Sequence, residues 1–290
     1  MRPFTLHRPT DLEAAIALLA AHGPEARLLA GGTDLIIGLR DGTVQPEVVV
    51  DVKRIAGLDT GVLDAGDVRT IGALAVMTDI THDPGIRRDH PALAEAAAVV
   101  GSVQIRNRAT LVGNLCNASP AADTLPALLV DGAVVLVAGP EGRRRVPVDE
   151  FLVSAGVTCL AQGELVTAIE LPRPLMIRGA AFVRRTRRRG HDLASVTLAC
   201  SVEAGGVTRI AYGSLGPRPY LVVDASGMLA DPTAPAAAKL ERLENLFTAA
   251  SPSPRSLRAG PEYRLAMLHL LAQRTLDVAI ARLAATRTQP

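Results

Sequence analysis

Two short segments, far apart in the chain, carry residue types suited to holding phosphate. The first is Leu28-Leu29-Ala30-Gly31-Gly32-Thr33-Asp34-Leu35, preceded by Arg27. The second is Ala109-Thr110-Leu111-Val112-Gly113-Asn114, which runs into Cys116-Asn117-Ala118-Ser119-Pro120-Ala121-Ala122-Asp123-Thr124. Each sets glycine beside small hydroxyl and amide side chains. A turn of that composition can aim successive backbone N–H groups at an oxyanion. Two such turns suggest two phosphates side by side, and so a dinucleotide. The first segment lacks the third glycine of the GxGxxG pattern, which counts against a nicotinamide-binding Rossmann fold.

Other chemistry is sparse. The three cysteines, Cys116, Cys159 and Cys200, are widely spaced and form no CxxC pair. Neither a zinc site nor a disulfide framework is supported. An iron–sulfur cluster needs about four thiolates, so the chain cannot hold one alone. Cys116 reads as a small buried filler. The six histidines show no metal-ligating spacing such as HExxH, so no metal site is expected. The run Arg184-Arg185-Thr186-Arg187-Arg188-Arg189-Gly190 reads as a solvated or docking loop. No aromatic residue lies within the run to stack on a base, and the net charge is only +2, so nucleic acid is not expected as a partner. Tyr212 and Tyr220 sit near turns and could pack on a cofactor or on the core.

The elements that must position these segments follow from pattern. With 290 residues, 48% hydrophobic and 21% charged, the chain can bury one large core or two smaller ones. A mean hydropathy of +0.24 is compatible with an apolar face turned to a partner subunit, or with a compositional bias. Apolar runs are broken before about 20 residues and no signal core is seen. No stable membrane insertion and a cytoplasmic location are therefore expected. Thr10-Asp11-Leu12-Glu13 fits a capping box ahead of a helix with Leu12, Ala15, Ile16 and Leu19 on one face. A strand at 27–30, a helix at 34–40 and a strand at 48–52 make a small α/β unit around the first glycine turn. Further strands are expected at 69–72, 133–138, 143–148 and 165–171, with helices at 91–100 and 125–130. Gly139-Pro140-Glu141-Gly142 marks a hairpin. Pro172-Arg173-Pro174 reads as a boundary, dividing the chain into 1–174 and 175–290. Beyond it come three strand-like runs, 180–184, 193–203 and 207–214, then helices at 236–249 and 262–285.

The two segments together, with Ile105-Arg106-Asn107-Arg108 before the second, closely resemble the FAD-binding medium subunits of the molybdenum hydroxylases. That family includes the carbon monoxide dehydrogenase medium subunit and the xanthine dehydrogenase FAD-binding subunit. The resemblance runs from His7-Arg8-Pro9 to the last helix. It also covers Asp51-Val52-Lys53-Arg54-Ile55, Ile71-Gly72-Ala73-Leu74 and Pro261-Glu262-Tyr263-Arg264. It implies an α+β fold. A vanillyl-alcohol-oxidase (PCMH)-type FAD-binding domain with two α/β subdomains is followed by a C-terminal α+β domain with a three-stranded antiparallel sheet and helices.

The resemblance also implies non-covalent FAD. Arg27, Leu28, Leu29, Ala30, Gly31, Gly32, Thr33 and Asp34 would wrap the pyrophosphate from one side. Ala109, Thr110, Leu111, Val112 and Gly113 would wrap it from the other, with Asn114 setting the turn. Asp123 would bond the ribose or phosphate region, and Leu165 would touch the adenine end or the ring. Arg184 falls where the family usually has a lysine near the flavin, and Asp192 matches an acidic residue close to the isoalloxazine. Arginine keeps the charge of lysine but not its shape. Val112 stands where the family most often has the first of two glycines. It is expected at negative φ, leaving Gly113 to supply any unusual geometry.

By the same resemblance the chain moves electrons from 2Fe-2S clusters of a small iron–sulfur subunit, through FAD, to an external acceptor (quinone, NAD or oxygen). Molybdopterin would sit on a large subunit, in a doubled heterotrimer, and no catalytic acid or base is expected in this chain. A stand-alone FAD-dependent oxidoreductase of the same fold and a flavin-free scaffold are the alternatives.

Overall fold

The computed structural model describes residues 1–188, 190 and 192–287. The chain opens with β1 (Thr5–His7) and α1 (Leu12–His22). Asp11, not Thr10, caps α1, its carboxylate accepting from the Ala14 N–H at 2.8 Å. Next come β2 (Ala26–Leu29), α2 (Leu35–Asp41) and β3 (Val48–Asp51), the expected α/β unit around the first glycine turn. β3 is the middle strand of a parallel sheet ordered β1-β3-β2, and all four of its residues are buried. An unbroken run of valines suits a strand covered on both faces.

A second unit contains β4 (Val62–Asp64), β5 (Val68–Gly72), α3 (Met77–His82), α4 (Pro84–Asp89), α5 (Pro91–Ala98), α6 (Val103–Arg106), α7 (Leu111–Cys116) and α8 (Thr124–Val130). It continues through β6 (Val134–Gly139), β7 (Gly142–Pro147), α9 (Val148–Phe151), β8 (Leu152–Ser154), β9 (Val157–Thr158) and β10 (Leu165–Pro172). Five of these strands form an antiparallel sheet ordered β4-β5-β10-β6-β7, with the expected hairpin closing at Gly139 and Gly142. Every residue of α8 is buried. Burying each of its leucines and its valine contributes roughly 2 kcal/mol, which fixes this helix as the hub of the unit.

The remaining elements are β11 (Arg178–Arg185), β12 (Val196–Glu203), β13 (Thr208–Gly213), β14 (Tyr220–Asp224), α10 (Ala236–Leu246) and α11 (Pro261–Arg287). Their sheet has four antiparallel strands in sequence order, not the three expected. β14 is only half-buried and comes after Pro217 and Pro219, so it lacks the alternation that marks the others. Period two sorts the sheet's side chains. Leu198, Cys200, Val202, Ile210 and Tyr212 face α11 through Leu268, Leu271 and Leu276. Ala180, Ala199 and Ala211 face the other way and join the core that contains α5 and α8. Their small size lets those helices lie close to the sheet. Tyr212 proves to be core: it is fully buried, with ring centroids 5.6 Å from Tyr220 and 5.2 Å from Phe247.

Candidate functional site

The two glycine segments meet. Gly31 and Gly32 leave the C-terminal end of β2 and lead to Asp34, the N-cap of α2. Gly32 has φ +76°, a region that side-chain-bearing residues rarely adopt. Gly31 is needed for proximity instead. A Cβ there would collide with the Arg108 carbonyl and the Ala109 Cα, so the first segment lies backbone to backbone against the start of the second. Among the described residues, no backbone carbonyl accepts from the N–H groups of Gly31, Gly32 or Thr33.

The second segment is strapped down by the stretch after β5. The Met77 N–H donates to the Ala109 carbonyl at 2.9 Å, and the Leu111 N–H donates to the Ala75 carbonyl at 3.3 Å. From Leu111 the chain forms not a turn but the helix α7. Thr110 is its N-cap, and the Thr110 hydroxyl oxygen accepts from the Gly113 N–H at 3.0 Å. Val112 has the expected negative φ. Gly113 is helical as well, so the expectation that it supplies unusual geometry is corrected; positive φ appears further on, at Ala118 (+46°). The missing side chain of Gly113 leaves bare, exposed backbone beside the cap. A Cβ there would sit 2.8 Å from the Thr110 hydroxyl oxygen. Thr124 donates to Asn114 Oδ1 at 2.6 Å and ties α7 to α8.

Asp123 and Arg184 are brought together from opposite sides of the chain's midpoint. Asp123 precedes α8, and Arg184 on β11 reaches it with Nη1 2.7 Å from Oδ2. Asp123 Oδ1 is buried without a partner among the described residues. Burial pushes this carboxyl up, and the charge and hydrogen bond of Arg184 offset only part of that, leaving it at about 6. Asp192 is spent on its own loop. Its carboxylate accepts from the Arg187 N–H at 3.1 Å and pairs with the Arg187 guanidinium at 3.0 Å, and these bonds hold it at about 2. Arg189 and His191, on either side of Gly190, lie outside the described residues.

Two further expected site residues make contacts of their own. Leu165 starts β10 and is 1% exposed within the main core. Arg27 folds back, its Nη1 donating to the Pro24 carbonyl at 2.6 Å and the Ala26 carbonyl at 2.8 Å. Cys116 is half-buried, and burial pushes its thiol up to about 12, as suits a filler. Among the described residues no group of His, Cys, Asp and Glu could hold a metal.

Lys53 is the residue that sequence reasoning passed over. Its Nζ lies 3.4 Å from the Ala30 carbonyl, at the first glycine turn, and 2.6 Å from Asp51 Oδ1. The signal was available: β2 and β3 are parallel and Leu29 is opposite Asp51, so the residues just past both strands share one edge.

This arrangement suits a pyrophosphate. It offers N–H groups without backbone acceptors, two backbones in contact and without side chains between them, and an ammonium at the edge. Residues 2–174 match the FAD binding domain in molybdopterin dehydrogenase, and residues 181–279 match the CO dehydrogenase flavoprotein C-terminal domain. The carbon monoxide dehydrogenase medium chain of Hydrogenophaga pseudoflava is 30% identical over 285 residues, covering 97% of this chain and 98% of that one. The xanthine dehydrogenase FAD-binding subunit of Escherichia coli O157:H7 is 31% identical, covering 95% of each. Among solved structures, carbon monoxide dehydrogenase from Hydrogenophaga pseudoflava superposes with a TM-score of 0.88 at 30% identity, covering 97% of this chain and 99% of that one. Quinoline 2-oxidoreductase from Pseudomonas putida 86 gives 0.84 at 25% identity, covering 97% and 98%. With both matched domains present and nearly full-length relatives on each side, the chain belongs to the family of FAD-binding medium subunits of the molybdenum hydroxylases.

Proposed function

We propose that this chain carries FAD non-covalently between its two glycine segments and serves as the electron-transfer subunit of a molybdenum hydroxylase. The observation that supports this most is the contact of Gly31 with the Arg108 carbonyl. It makes one surface of two segments about eighty residues apart. When bound, FAD supplies the redox chemistry, taking electrons singly and passing on pairs. The chain's own residues bind and orient. Gly31, Gly32 and Thr33 offer N–H groups from one side, and from the other the start of α7 brings the bare backbone of Gly113, whose own N–H is held by the Thr110 hydroxyl oxygen. The Asp123–Arg184 pair braces β11 against the start of α8.

Membership of the family implies a small and a large partner subunit, which hold the iron–sulfur and molybdenum groups. We infer a doubled heterotrimer in the cytoplasm, with the change of domain close to residue 174. Among the described residues no helix is long and apolar enough to cross a membrane. The acceptor, whether quinone, NAD or oxygen, would be met on this chain, and the substrate on the large one.

Affinity purification of the tagged chain from its own host tests the proposal. One larger and one smaller chain should co-purify, and denaturation should release FAD. A lone chain that oxidises a substrate by itself would favour a stand-alone flavoenzyme. Colourless protein that cannot be reconstituted with FAD would favour the scaffold and sink both flavin readings.

A further inference from the structure

Lys53 has a place in the fold that its exposed position alone does not explain. It comes directly after β3, and its ammonium turns back across the parallel sheet to the end of β2. There it lies 3.4 Å from the Ala30 carbonyl, and Asp51 Oδ1 holds it at 2.6 Å. Asp51 is itself nearly buried and fixed by the Lys53 N–H at 3.2 Å, while Arg8 approaches its other oxygen at 3.8 Å. Burial pushes the Asp51 carboxyl up, but the bonds and charge of Lys53 and the charge of Arg8 outweigh it, and the carboxyl stays below its ordinary value. The anion that aims Lys53 is therefore present throughout the neutral range.

The Ala30 carbonyl and the Gly31 N–H belong to one peptide plane. In a trans peptide they point in opposite directions. A cation that holds the carbonyl on one side turns the Gly31 N–H to the other. We propose that Lys53 is a positioning residue for the dinucleotide. It fixes the orientation of the Ala30–Gly31 peptide and sets a positive charge within screening distance of the pyrophosphate. This rests on the phosphate role of the glycine segments proposed above. Lys53 lies beside the first glycine segment, at the phosphate end of the proposed site. Its effect belongs to binding, and to the phosphates in particular.

The test uses the full chain stripped of flavin and titrated separately with FAD and with riboflavin, which lacks phosphate. Lys53→Met should weaken FAD binding on the order of tenfold, flatten its dependence on salt, and leave riboflavin binding unchanged. Lys53→Arg should recover most of the loss because it keeps the charge. Asp51→Asn should fall between wild type and Lys53→Met. Equal FAD affinity and salt slope in Lys53→Met would overturn the inference, as would an equal loss for riboflavin. Gly32→Val separates the two levels. If that variant binds FAD like wild type, the phosphate site itself is misplaced. If it loses FAD while Lys53→Met does not, only the role of Lys53 is rejected.

Discussion

Asp123 is held ionised by one arginine against burial that favours the neutral form. Its carboxyl stands at about 6 in the folded chain, against an ordinary value of 3.8. The folded state thus binds this proton more tightly than the unfolded state does. The stability this adds is fully present below about pH 4 and is lost as pH rises through about 6. Two pK units correspond to about 3 kcal/mol, an upper figure. Relative to Asp123→Asn, the flavin-free wild type should lose up to that amount between pH 4 and pH 7, read from urea melts at each pH. A difference that does not change with pH would refute the assignment. Gly31 makes the second prediction at this scale. Gly31→Ala should cost about 1–3 kcal/mol of stability by overpacking against the Arg108 backbone, and should lower FAD content with it. Unchanged melting and flavin content would show that the two segments do not close on each other. The pair of glycine segments was legible in the sequence through the family resemblance they carry together, because either segment alone reads as an ordinary turn. The pairing of Asp123 with Arg184 was not. The two residues are 61 apart in sequence, and each was assigned to the cofactor alone.

Elements meet at His90, Asp131 and Arg178, a buried polar trio away from the glycine segments. Arg178 opens β11, Asp131 ends α8, and His90 joins α4 to α5. Arg178 Nη2 lies 2.5 Å from Asp131 Oδ1 and 3.0 Å from His90 Nδ1, and donates to the Asp89 carbonyl at 2.8 Å. Burial pushes the Asp131 carboxyl up, but the charges and hydrogen bonds of Arg178 and His90 prevail and hold it below its ordinary value. Its contribution to stability is therefore present above the ordinary carboxylate range and lost as pH falls through the folded value. Arg178→Met should destabilise by about 3–5 kcal/mol, because it leaves Asp131 buried with His90 alone beside it. Adding Asp131→Leu should recover most of that loss, since an apolar pair has no charge to strand. A double variant no more stable than the single one, by denaturant melts, would contradict the pairing. At this scale the sequence showed helices with a clear apolar face, such as α5 and α8, and strands with alternation, such as β12. It did not show α7, whose six residues include Gly113 and are set by the Thr110 cap and the strap from Ala75 and Met77. Nor did it show β1 or β14, which are short and only partly covered, so neighbours rather than pattern make them strands.

At the scale of the whole molecule, the sheets and their helices bring one bare backbone surface together from two distant parts of the chain. The small residues Ala180, Ala199 and Ala211 seat the C-terminal sheet on the same core that supports α8. Family membership then places this surface within a larger assembly, in which the chain is one conductor among several. The most direct measurement is a titration of the flavin-free full chain with FAD, wild type against Gly32→Val, with circular dichroism and thermal midpoints recorded for both. The Gly32 backbone at φ +76° strains a valine by about 1–3 kcal/mol, a cost that leaves the variant folded if the wild type has ordinary stability. Wild type should bind one FAD per chain, and Gly32→Val should show native circular dichroism with no saturable binding. Wild-type FAD affinity in a folded Gly32→Val chain would contradict the central claim that the two glycine segments hold the cofactor.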